Sequence, residues 1–418
     1  MKKIKMRRIL QTFKNNKKIN NIPLTISQEF NRIKLDQKIK LGMQIGITVG
    51  SRGVNNLQLI IKIVIQEIKK RGGEPFIVPA MGSHGGATAE GQKEMLASYG
   101  ITKSNMGVPI KATMDVVKLG ELKNGLPVYF DKYAFQADGI IAVNRIKVHT
   151  VFKGEIESGL NKILAVGLGK QRGASLVHYL GIKGLRDYMV EFARVILSKA
   201  PILCGLGILE NAYDETYKLV AANPKDFEKV DKELLKECKK ILPKFPVSNI
   251  DILVVEEMGK NISGPGMDTN IIGGIHEYKK EEFSPPQIKR ILVLDLTPET
   301  HGNALGVGLA HIITRKLYKK IDYKATYANT ITSTFLERSR IPLIAETEKE
   351  ALGIALKTIW NLPGTKPRII IIRNTLKLDE MYISEAIWED IKDKESILPK
   401  GDWEYLSFDS QGNISLRI

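Results

Sequence analysis

The sequence predicts an α/β protein of two domains, built from mostly parallel sheets flanked by helices. Three observations carry that expectation. The chain has 418 residues, more than one hydrophobic core ordinarily organises. Its 43% hydrophobic and 26% charged residues are the balance of a globular protein. Short β-rich runs alternate with amphipathic helical periods, the pattern of parallel strands joined by crossover helices.

The alternation begins at Gln44. A β-rich run over 44–49 ends in Gly50-Ser51-Arg52-Gly53, and a helix from Asn55 places Leu57, Ile60, Ile61, Val64, Ile65 and Ile68 on one face before Gly72 and Gly73 stop it. A second run, 75–79, leads through the loop 80–87 to a helix over 88–99, which Gly100 ends. A strand pair over 116–119 and 126–130 turns at Asn124-Gly125, a dipeptide that accepts hairpin geometry. A buried strand over 139–143 runs into the loop 144–150, followed by helical periods at 155–165, 173–180 and 185–199. A β segment at 203–209 and a charged helix at 226–242 complete this part of the chain. Pro243 and Pro246 break that helix, so a boundary is expected near 247. The expected domains are therefore 1–247 and a smaller α/β unit, 248–374, with strands at 250–255, 291–296 and 368–372 and a helix over 309–319. The basic first eighteen residues read as a strand, and the weakly patterned segment 375–418 is expected to pack back on the first domain.

Composition excludes several classes. Cys204 and Cys238 lie far apart and outside any CxxC spacing, which argues against a disulfide framework, a thiolate zinc site and an iron-sulfur cluster and favours a reducing compartment. The net charge of +17 invites nucleic acid, because clustered cations release counterions from a phosphate backbone. Here the lysines are scattered and lie near acids, as in 226–240, with few interleaved aromatics. The partner is expected to be a small molecule and not nucleic acid. The start lacks a signal-peptide apolar region, and no apolar run approaches the ~18 residues that span a bilayer. A cytoplasmic protein without a membrane partner is expected; none of these patterns sets an oligomeric state.

The chemistry sits in loops after strands, where ligands of parallel sheets bind. Met81-Gly82-Ser83-His84-Gly85-Gly86-Ala87-Thr88 places a histidine among glycines before a helix start. Free amides, a Thr88 cap and a helix N-terminus suit a phosphate or carboxylate; a tight packing turn with an exposed His84 reads equally well. Arg52 can grip a carboxylate or phosphate with two parallel bonds, or be a solvated turn residue. Neither GxGxxG nor GxxxxGK[ST] occurs in these loops, so the dinucleotide and P-loop signatures are missing. The segment 144–170 clusters Arg145, Lys147, His149, Lys162 and Lys170 with glycines, and His178 follows among Leu176, Val177 and Leu180. A histidine so placed is either a satisfied core residue or a ligand. The candidate histidines show no i, i+4 or HxH spacing, so a metal here needs an organic group to supply most of its donors.

In order and spacing these residues resemble the nickel-dependent lactate racemase family and its nickel-pincer isomerase homologues, from about Gln44 into the second domain. The family shows an Arg in the first loop, a Gly-x-His loop, a strand-end His, a Lys in a glycine-rich segment and a His sixteen residues beyond it. Here these resemble Arg52, His84, His149, Lys162 and His178. The resemblance implies an active site in the interdomain cleft and a nickel-pincer nucleotide bonded to the Lys162 amine, with His178 as the one protein ligand of nickel. It implies Gly85, Gly86 and Thr88 as cofactor-binding residues, with the cofactor phosphate on the loop amides near Gly85 and Gly86 or on the second-domain glycines. It further implies a racemase or epimerase of a 2-hydroxy acid: His84 and His149 as two bases, Arg52 on the carboxylate, and a 2-keto acid formed by hydride transfer. A non-catalytic mononucleotide- or phosphate-binding homologue with the same cradle is the alternative. Two departures move the expectation away from lactate towards a larger or differently charged hydroxy acid. The second-domain motif that gives the racemases a Gln and a Lys reads Gly264-Pro265-Gly266-Met267-Asp268-Thr269-Asn270, and Val49 stands where they carry an acid. His301 and Asn303 are the substrate-binding candidates to replace those contacts, although Thr300-His301-Gly302-Asn303 reads as well as an exposed loop.

Overall fold

The computed structural model describes residues 3–14, 16–276 and 284–418. The chain divides into two compact units, Asn15–Leu242 and a second made of Met1–Lys14 with Pro243–Ile418.

In the unit Asn15–Leu242 a five-stranded sheet runs in the order Glu74–Pro79, Gln44–Val49, Gly139–Arg145, Ile202–Glu210, Thr216–Ala222. The first four strands are parallel and the last is antiparallel. Gln44–Val49 and Gly139–Arg145 are buried along most of their length, as expected of strands covered on both faces. The helix Leu57–Lys70 lays Leu57, Ile60, Ile61, Val64, Ile65 and Ile68 into the core. Each side chain so buried contributes on the order of 1.5–3 kcal/mol. The pair Val116–Glu121 and Pro127–Asp131 forms the expected hairpin. The expected helix at 155–165 begins only at Leu160, because Glu157 turns inward to hold backbone N–H groups of the preceding loop.

The other unit holds, among the described residues, a nine-stranded sheet. Its parallel part runs Leu343–Ala345, Ile312–Thr314, Gln287–Leu296, Asn249–Met258, Ile369–Ile372. Glu380–Ser384, Lys5–Gln11 and Ile397–Pro399 extend it antiparallel. Three expectations change here. The first strand belongs to this unit and not to the first domain. The tail falls in this unit as well, where its strands pair with Ile369–Ile372 and Lys5–Gln11. Residues 309–319 are part strand, because Ile312-Ile313-Thr314 is a β-branched run that pairs on both sides; the helix covers only Arg315–Lys319. Short apolar runs carry too little periodicity to separate the two states. The unit boundary falls at Leu242 and Pro243.

Both cysteines are free and buried. Among the described residues no helix is long and apolar enough to cross a membrane.

Candidate active site

Three neighbouring parallel strands end at one edge, and each delivers a loop with a candidate residue: 44–49 leads to Arg52, 74–79 to His84 and 139–145 to His149. Carboxyl ends of parallel strands are where such sheets bind ligands.

The His84 loop is rigidly defined. His84 Nδ1 lies 2.9 Å from the Met81 carbonyl, which only accepts, so Nδ1 carries a proton. Gly85 has φ +66°, and a Cβ there would lie 2.6 Å from the backbone of Gly91 and Gln92, so only glycine fits. Gly86 also has a positive φ but faces open space. The Thr88 hydroxyl accepts from the Gly91 N–H and donates to the Gly85 carbonyl; it works as a helix cap.

This loop docks on the segment that carries Lys162. The Gly82 N–H donates to the Gly167 carbonyl at 3.0 Å, and a Cβ on Gly167 would meet the Ala80 carbonyl at 2.7 Å. Fully buried Lys170 donates to the Pro79 carbonyl (2.8 Å) and Gln92 Oε1 (2.5 Å). Gln92 in turn donates to the carbonyls of Gly82 and His84.

Lys162 closes a short helix, Leu160–Lys162, that continues into a wide turn in which the Leu168 N–H reaches the Ile163 carbonyl at 2.8 Å. Such five-residue turns recur at functional sites. The helix start is fixed by Asp231, a fully buried carboxylate that accepts from Leu160 N (2.8 Å), Asn161 N (2.9 Å) and Asn161 Nδ2 (2.7 Å). Burial, only partly offset by these N–H groups, lifts Asp231 to about 7. Asn144 donates to the Gly159 carbonyl from the opposite side.

Lys162 is half-buried, with no hydrogen bond or ion pair among the described residues. Burial and then the Arg52 charge lower its amine to about 8, against a raising influence of Glu157. His178, on the helix Lys170–Tyr179, is lowered to about 4 by burial and by the charge of Lys162, and its Nδ1 is buried without a hydrogen-bond partner. Arg52 is lowered by burial and by the Arg145 charge. The electrostatics therefore bring Arg52, Lys162 and His178 into one neighbourhood.

His149 sits in a loop organised by Glu157, which accepts the His149 N–H (2.7 Å) and the Gly154 N–H (3.1 Å). Lys153 and Lys239 compensate that carboxylate at 3.5 and 2.9 Å. His149 Nδ1 accepts the Val151 N–H at 3.2 Å, so the neutral ring carries its proton on Nε2. The ring packs on Phe152, centroids 4.6 Å apart.

His301 and Asn303 lie in the other unit, after the strand Gln287–Leu296. His301 is exposed at φ +47°. Asn303 is half-buried, donates to Asn329 and accepts from the Leu305 N–H. Lys260 is anchored beside them on the Gly264 carbonyl and Asn329. Asp268, Thr269 and Asn270 of the altered motif are buried, and Asp268 accepts from Asn270 N and Nδ2. Sequence reasoning missed Glu157, Asp231 and Gln92. Asp231 had a visible signal, a carboxylate on the apolar face that otherwise holds Val230, Leu234, Leu235, Cys238 and Ile241. Among the described residues no group of three or more His, Cys, Asp or Glu could hold a metal ion.

This is an α/β protein whose candidate residues follow the carboxyl ends of parallel strands. Residues 3–183 match the family model of the lactate racemase N-terminal domain, so this part of the chain is similar to that domain. In fold it is similar to the lactate racemase apoprotein of Thermoanaerobacterium thermosaccharolyticum, with a TM-score of 0.50, 12% identity, and coverage of 86% of this chain and 92% of that one. A comparison with curated proteins found no match.

Proposed function

We propose that the chain is a racemase or epimerase of a 2-hydroxy acid that uses a nickel-pincer nucleotide tethered at Lys162. One observation carries the reading: an unpaired, half-buried amine at about 8 stands beside an imidazole whose buried Nδ1 lacks a partner. A depressed amine is a nucleophile near neutral pH, fit to hold an acyl or thioacyl arm. A neutral imidazole with a free lone pair is a metal ligand. The residues present therefore fit the cofactor, Lys162 as its tether and His178 as the protein donor to nickel. When bound, that group supplies the acceptor for hydride from the substrate Cα.

The chain's own residues do the rest. Arg52 holds the substrate carboxylate and fixes the reacting carbon. His84 is proposed as the base that takes a hydroxyl proton. His149 is proposed as the second base, and in its neutral form the ring proton lies on Nε2. To act as base for the opposite enantiomer its proton must leave Nε2, so the two histidines serve the two enantiomers unequally. His301 and Asn303 are proposed to contact the rest of the substrate. The setting we propose is the cytoplasm, with a small hydroxy acid as partner.

The test is mass spectrometry of protein co-produced with the cofactor pathway. An adduct on Lys162 with about one nickel per chain is expected. Lys162→Ala should remove both, and His178→Ala should keep the adduct and lose nickel. An unmodified, metal-free wild-type chain overturns the proposal. Bound cofactor without racemisation across a hydroxy-acid panel selects the non-catalytic binder.

A further inference from the structure

One basic group beside this site is unaccounted for by the reading above. Arg145 ends the strand Gly139–Arg145, next to the strand whose loop carries Arg52. A single carboxylate ties both together: Glu210 Oε2 takes Arg145 Nη1 at 2.5 Å, and Glu210 Oε1 takes the Asn55 N–H at 2.6 Å. Asn55 lies three residues beyond Arg52 in the same loop, and Tyr99 pins that loop from its other end through the Ser51 carbonyl (3.0 Å). Arg145 is thus held beside Arg52 by one of its nitrogens, with its side chain 22% exposed. Its other nitrogens have no partner among the described residues.

The charge balance is lopsided. Burial alone would lower Arg145, but Glu210 and then Asp214 hold it raised and firmly charged. Arg52 has no ion pair among the described residues. The strand leading to it ends in buried Val49 and so offers no neutralising acid. Two guanidinium forks at the ends of adjacent strands, only one of them half-committed to a carboxylate, are an anion site that a single carboxylate leaves underfilled.

We infer that Arg52 and Arg145 form one two-armed site that takes a doubly charged oxyanion, with Glu210 as the residue that positions the second arm. The charge has two sources, a second carboxylate or phosphate on the hydroxy acid, or the phosphate of the tethered nucleotide. The inference rests on the reading above only for the identity of that anion; the site itself is a property of the unloaded chain.

Calorimetric titration of cofactor-free protein with tartronate (two carboxylates), glycolate (one) and inorganic phosphate tests it. Wild type should bind tartronate at least about tenfold more tightly than glycolate. Arg145→Met should bring the two within about twofold, and Arg145→Lys, a charge without the fork, should fall between. Equal affinities in wild type, or a preference unchanged in Arg145→Met and Arg145→Lys, overturn the inference. Should Arg145→Met fail to fold by its melting curve, Arg145→Lys alone decides. Repeating the titration on cofactor-loaded protein separates the sources: a retained tartronate preference assigns the second charge to the substrate, and its loss, with phosphate bound well by the unloaded protein, assigns it to the nucleotide. A chain with no adduct and no nickel sinks the proposed function while leaving these titrations standing.

Discussion

The depressed amine of Lys162 can be tested without any cofactor. At about 8 against an ordinary 10.5, roughly a tenth of the amine is unprotonated at pH 7, compared with roughly three parts in ten thousand for an ordinary lysine. The advantage in free amine is therefore about 300-fold before access is considered. Brief labelling with a small amine-reactive reagent, followed by peptide mass spectrometry, measures it, with exposed Lys34 and Lys123 as references in the same chain. Labelling at Lys162 should reach half its plateau near pH 8. Arg52→Met removes the like charge that helps depress the amine and should move the Lys162 midpoint upward. Burial is the larger cause, so the midpoint should stay below the ordinary 10.5. A Lys162 midpoint at the ordinary 10.5 refutes the argument, since neither burial nor Arg52 would then act on the amine.

Further outcomes follow from the same neighbourhood. Asp231→Ala leaves the N–H groups of Leu160 and Asn161 buried without an acceptor and should cost about 2–5 kcal/mol in denaturant unfolding; Asp231→Asn should recover little, because its amide points donors at donors. His178 is about 4 in the folded chain against an ordinary 6.5. Its protonation favours the unfolded state, so stability should fall as pH drops from 6.5 through 4, and His178→Gln should flatten that slope in a pH series of melting curves. Gly85→Ala drives a Cβ into the backbone of Gly91 and Gln92 and should destabilise by several kcal/mol, whereas Gly86→Ala meets open space and should cost about 1 kcal/mol from its positive φ. Glu157→Gln strips the counter-charge from buried Lys153. It should cost about 3 kcal/mol or more and loosen the His149 loop, read as faster amide exchange at His149 and Gly154.

What the sequence disclosed depended on the range of the interaction. Alternating runs and helical faces are local, and they placed the strands 44–49, 74–79 and 139–145 and the helix at 57–70 close to where they lie. Placing His84, His149 and Arg52 at strand ends needed nothing beyond that order. Partnership across the chain was invisible. Lys5–Gln11 pairs with Glu380–Ser384, nearly the whole chain away, and nothing local in the basic start or the weak tail indicates it. The same holds at the site, where Glu157 and Asp231 are ordinary charged residues by composition.

Asp231 and Glu157 also explain why the reactive residues sit where they do. Both are buried carboxylates that accept backbone N–H groups, so each fixes a segment of the chain. Glu157 has two lysines to compensate it, whereas Asp231 has only N–H groups and is lifted to about 7. A carboxylate this poorly compensated is tolerated only where the geometry it imposes is needed, and that geometry is the helix start two residues before Lys162. Acid should therefore act on the tether through Asp231. Asp231 holds its proton more readily in the closed helix start, at about 7, than in a solvated, opened one, so as pH falls below 7 opening should become harder and the hydrogen exchange of Leu160 and Asn161 should slow. Exchange at these two amides that stays flat from pH 8 to 5, after correction for the intrinsic rate, would show that the helix start does not depend on the carboxylate's charge.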